Sequence, residues 1–97
     1  MARRNITFAS DTTKKFVANH RRGEQYQATI QNLTTQTVTI TVTNEDIQGS
    51  SPTFDTPAAG ALAITAGAIG VLNEAYDGWL LTAAASTSGT VNIVEAG

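Results

Sequence analysis

Two carboxylates, Glu74 and Asp77, stand in one short stretch beside Tyr76 and Trp79. Paired carboxylates are the machinery of glycosidases, and aromatic rings beside them suit a sugar. The same residues also spell a turn. Asp77-Gly78 is a common turn dipeptide, and a tryptophan that opens a strand belongs in a core. The turn is the reading the spacing favours. A second oxygen-rich set is Asn44, Glu45 and Asp46, with Asp55 across the next loop. It has the oxygens a calcium ion wants but not the spacing of a calcium loop, so it reads as a polar strand end.

His20 is the only histidine, and it sits beside Asn19, Arg21 and Arg22. Neighbouring cations disfavour its protonation, and no G-x-S-x-G elbow accompanies it. It reads as a surface or partner-facing residue. The chain has no cysteine, which removes disulfides, thiolate nucleophiles and the usual zinc ligands. No glycine-rich phosphate cradle is present. The expectation is therefore no catalytic residue, no metal, no cofactor and no enzyme.

The charges are more informative. Every lysine and arginine falls in the first quarter: Arg3, Arg4, Lys14, Lys15, Arg21 and Arg22. Only one carboxylate, Asp11, shares that region, and the other seven lie beyond it. Such segregation points to a basic rim that faces an acidic partner. Nucleic acid is the weaker reading. The acidic remainder would repel phosphates, and Phe8 and Phe16 look like core contacts rather than stacking platforms. Between Thr56 and Val94 only Glu74 and Asp77 are charged. A surface this neutral suits a protein packed against others.

Strands must position these groups. Tyr26, Ala28 and Ile30 alternate with polar residues, as do Val38, Ile40 and Val42. Period two marks strands with one buried face, and the short residues 32–36 between them predict an antiparallel hairpin. Thr37, Thr39, Thr41 and Thr43 then share one solvated or partner-facing side. The run TVTITVT is aggregation-prone, with Glu45 and Asp46 as gatekeepers. Residues 48–57 read as a loop with a short edge segment at residues 53–55. LAIT and AIGVL predict two buried strands about Ala66-Gly67, and WLLTAA and TVNIVEA predict a second hairpin. NITFA and KFVAN are further short strands.

The uncharged residues 58–72 fall short of the roughly 20 apolar residues of a membrane span, and three glycines break them. With no export signal read after Met1, Asn5-Ile6-Thr7 and Asn32-Leu33-Thr34 are chance matches to a glycosylation motif. No stretch carries a capped helical period. The pattern predicts an all-β, single small antiparallel β-sandwich of jelly-roll-like form, with seven to eight short strands over residues 1–97. Residues 1–22 form its basic N-terminal arm or edge segment.

The stretches MARRNITF, YQATIQNLTTQTVTITV, AAGALAITAGAIG and GWLLTAAASTSGTVNIVEAG together resemble small β-sandwich virion proteins of tailed bacteriophages, of the capsid decoration or cement type. The resemblance spans most of the chain as a style of sequence. It carries no diagnostic motif, so no contact residue transfers. It implies a virion structural protein, made in the host cytoplasm and carried on the capsid exterior. Such proteins bind an assembled head, often as trimers, and clamp major capsid protein subunits. The alternatives are a phage tail or neck component, or a glycan- or receptor-binding module using Tyr76, Asp77 and Trp79. No membrane partner is expected.

Overall fold

The computed structural model describes residues 2–10, 12–17, 26–45 and 52–96. Its strands are β1 (Ala2–Ala9), β2 (Thr13–Val17), β3 (Gln27–Asn32), β4 (Val38–Thr43), β5 (Leu62–Ile64), β6 (Ile69–Leu72), β7 (Gly78–Thr82) and β8 (Ser88–Ala96). They form two antiparallel sheets, ordered β1-β8-β3-β6 and β2-β7-β4-β5. The pairs β1/β8, β2/β7, β3/β6 and β4/β5 make one folded ribbon. Rolling that ribbon sets β8 beside β3 and β7 beside β4, which is the jelly roll.

Each strand reached its sheet through alternation. Ala28 and Ile30 on β3, Val38, Ile40 and Val42 on β4, and Val91 and Ile93 on β8 all turn inward and are buried. Phe8, Phe16, Tyr26, Ile64, Leu72, Trp79 and Leu81 complete the core between the sheets. Burying each large side chain contributes roughly 1.5–3 kcal/mol. Phe16 and Trp79 are direct cross-strand partners, with ring centroids 4.9 Å apart.

Both predicted hairpins are corrected. β3 and β4 exist, but they lie in opposite sheets, and so do β7 and β8. Each strand has one buried face, and two such strands gain as much by facing each other across a core as by pairing side by side. The local cause at the first crossing is Asn32. Its Oδ1 accepts from the amide and hydroxyl of Thr34, and its Nδ2 donates to Gln36 O and Ile64 O. That ties the chain into an arch instead of a two-strand turn. At the second crossing Ser86 takes a positive φ of 71° and the buried Thr87 hydroxyl donates to Ala84 O.

β5 and β6 also separate into opposite sheets about Ala66-Gly67. β6 is not the buried strand the sequence suggested: Ile69 is 64% and Val71 46% exposed. The expected edge segment near residue 55 reduces to one bridge, Val42 with Asp55. No helix among the described residues is long and apolar enough to cross a membrane.

Two lateral edges follow from the strand order. β1 and β2 are end strands of their sheets and meet where Arg4 lies over Phe16. β6 and β5 are the end strands at the other side. There Gly70 leaves room for Ile64, since a Cβ at Gly70 would stand 2.8 Å from Ile64 Cδ1.

Candidate functional site

The β1/β2 edge carries all the described cations. Arg4 pairs in register with buried Ile93, and Lys14 with buried Leu81, so both have inward parity and sit at the seam between the sheets. Arg3 pairs with Val94 and faces outward from the first sheet, and Lys15 pairs with Leu80 and faces outward from the second. Four cations thus wrap one edge of the sandwich. Arg21 and Arg22 lie outside the described residues, as does His20.

The four are not equivalent. The Arg4 guanidinium carbon is 5.4 Å from the Phe16 ring centroid, within range of a cation–π contact. Behind it, Tyr26 packs edge-on against Trp79 at 6.5 Å and donates to Glu95 Oε2 at 2.6 Å. Burial, reinforced by the bond to Glu95, pushes the Tyr26 hydroxyl well above its ordinary pKa, and the charge of Arg4 opposes this weakly. Arg4 is exposed, as Arg3 and Lys15 are, but its guanidinium lies against a core ring, and Lys14 alone of the four is half-buried.

Beside Arg3 the outer face of the first sheet forms a shallow depression of about 400 Å³, lined by Arg3, Asn5, Gln31, Asn92 and Val94. Asn5, Asn92 and Gln31 stand in one cross-strand row that continues to Ile69. Arg3, Val94, Thr29 and Val71 form the next row. No carboxylate lines this surface. On the outer face of the second sheet Thr13, Thr82, Thr39 and Ala63 make an uncharged row across all four strands.

The sequence's other candidates fare differently. Trp79 is wholly buried, so Tyr76, Asp77 and Trp79 form no exposed aromatic patch. Its indole Nε1 has no hydrogen-bond partner among the described residues. Glu74 accepts from the Tyr76 hydroxyl at 2.6 Å, a bond that raises the Tyr76 pKa. Tyr76 in turn accepts from Ala58 N, so this group fastens the β6–β7 loop to the β4–β5 loop. Glu45 Oε2 likewise accepts from Thr53 N. Asp46 lies outside the described residues. Among the described residues no three His, Cys, Asp or Glu side chains gather into a metal-binding group.

Sequence reasoning passed over Asn32, Thr87 and Glu95, all buried. A signal was there. Asn32 and Glu95 occupy inward positions two residues beyond Ile30 and Ile93, and a polar residue in a buried register implies an internal partner. Fold and edge define this class of molecule: an eight-stranded jelly roll with a cationic rim and outer-face rows that hold no carboxylate. Comparison with protein-family models, curated proteins and solved structures finds no match.

Proposed function

We propose that this domain is a virion structural protein that docks through its β1/β2 edge onto an acidic protein surface, as a capsid decoration or cement protein does. The observation that carries the reading is the gathering of Arg3, Arg4, Lys14 and Lys15 on one edge of a sandwich whose outer faces hold no carboxylate in their cross-strand rows. Clustered cations steer a protein to an oppositely charged surface and make its binding sensitive to salt. Repeated over many equivalent sites, such contacts stabilise a shell by multivalency. The jelly roll itself serves many functions and supports the reading only by analogy. The resemblance also supplies the capsid exterior as location and the major capsid protein as partner.

The test is made on particles. Virions that carry the chain are labelled with an antibody against it and imaged. Label over the heads supports the proposal, and label confined to tails or necks overturns it in favour of that alternative. Stripped heads then take up wild-type protein and Arg3→Glu/Lys15→Glu. The double variant is expected to lose occupancy at low salt, and equal occupancy at low and high salt removes the cationic edge from the account.

A further inference from the structure

The second lateral edge has no such protection. Natural sheets blunt their end strands with charge, proline or bulges. β1 and β2 carry four cations, but no charged residue occurs from Thr56 to Asn73, the stretch that contains β5 and β6. On β6 the backbone and side chains are both open. Asn32 N donates to Ala68 O at 3.0 Å, and the antiparallel ladder alternates from there, so Ile30/Gly70 and Ala28/Leu72 are the hydrogen-bonded pairs. Ile69 and Val71 therefore turn their N–H and C=O groups away from β3. β6 is the last strand of its sheet, so no described strand receives them. The same two residues expose their aliphatic side chains.

We propose that β6 is a self-association edge, where two copies of the chain pair antiparallel about a two-fold axis at Gly70. In that register Ile69 of each copy lies opposite Val71 of the other. Their main-chain groups exchange hydrogen bonds, and their β-branched side chains form cross-strand pairs on the outer face. The pairing is isologous and joins two four-stranded sheets into one.

The occupant follows from charge. A second copy offers a neutral strand here with nothing to repel, whereas pairing two β1 edges would bring Arg3 and Arg4 of both copies together. An acidic partner is drawn to the cationic side, not to this one. The contact is two-fold and so builds a dimer, in place of the trimer that the resemblance suggested. It stands apart from the docking proposal, because it uses the opposite edge. Two four-residue strands bury little surface, so the association is weak and concentration-dependent.

The experiment is sedimentation velocity of the whole chain up to high micromolar concentration, with amide exchange measured at the same concentrations. The expected result is a reversible monomer–dimer equilibrium that salt does not weaken. Val71→Lys is expected to raise the dimer dissociation constant at least about tenfold, while Arg3→Glu leaves it unchanged. Amide exchange at Ile69 and Val71 should slow on dimerisation, with Gly70 and Leu72 unaffected. Should Val71→Lys fail to fold, Ile69→Thr keeps a β-branched residue and removes apolar contact. A strict monomer, a mass of three copies, a salt-sensitive dimer, or a dimer indifferent to both β6 substitutions would each overturn the proposal.

Discussion

The Tyr26 hydroxyl and the Glu95 carboxylate meet at 2.6 Å inside one end of the core, and both residues are almost wholly buried. A carboxylate there is tolerable only with partners, because burying polar groups unpaired is costly. Tyr26→Phe removes the donor and leaves the acceptor in place. The expected loss of stability is about 1.5–3 kcal/mol, measured by urea unfolding. Combined with Glu95→Gln, the loss should be smaller than the sum of the two single changes.

The same bond gives the domain an alkaline limit. The folded state holds the Tyr26 proton to a pH well above 10, the ordinary value. Above pH 10 the unfolded chain releases that proton and the folded chain does not. The unfolded state then binds fewer protons, so stability falls as pH rises beyond that point. Below pH 10 the contribution is fully present. Unfolding midpoints from neutral to alkaline pH should show this decline in the wild type and a shallower one in Tyr26→Phe.

Asn32 ties the first sheet crossing with both ends of its carboxamide. Asn32→Ala strips partners from Thr34 N, Gln36 O and Ile64 O together, and a loss of about 3 kcal/mol is expected. Its neighbour Gln31 is exposed, and Gln31→Ala should fall within about 0.5 kcal/mol of the wild type. Thermal unfolding of the two variants side by side separates the arch from the surface.

Two glycines should respond unequally to alanine. At Gly89 a Cβ would stand 2.7 Å from Leu33 O and 2.9 Å from Thr34 Cα, on a backbone with φ of +116°. Both neighbours are main chain and cannot step aside. At Gly70 the obstacle is the Ile64 side chain, which can shift. Gly70→Ala is expected to cost about 1–3 kcal/mol and Gly89→Ala more, by equilibrium unfolding.

Arg3 and Arg4 are adjacent in sequence and divided in role. Arg4→Ala removes the cation over Phe16 and should cost about 0.5–1 kcal/mol. Arg3→Ala should leave the unfolding curve unchanged. If Arg4→Ala is equally silent, its stacking on Phe16 adds nothing to the fold and it joins Arg3 as a purely outward cation.

Strand content was legible in the sequence because alternation is local: the periods at Ala28/Ile30 and Val38/Ile40/Val42 lie on one strand each. The jelly-roll form was anticipated, but the partners of β3 and β4 were not. Period two says that a face is buried, not whether the next strand lies beside it or across the core. That choice rested on the Asn32 side chain, whose acceptor at Ile64 lies 32 residues away. The cationic pairs were visible as a list, and Arg3, Arg4, Lys14 and Lys15 became one edge only because β1 and β2 end their sheets on the same side. Their division into seam and outer face came from register with β8 and β7, which no local pattern contains. Trp79 was read both as a sugar platform and as core, and burial resolved it.

The rolled ribbon also governs the order in which this chain can be made. β1 has a single neighbour, β8, and Ala2 pairs with Glu95 at the far end of the sequence. Only β4 and β5 pair with their neighbours in sequence. A nascent chain therefore emerges with TVTITVT already exposed and most of its strands waiting for partners not yet synthesised. Closing contacts of such high sequence separation is slow. Until β8 is present, β1 and β3 lack the strand that joins them in one sheet.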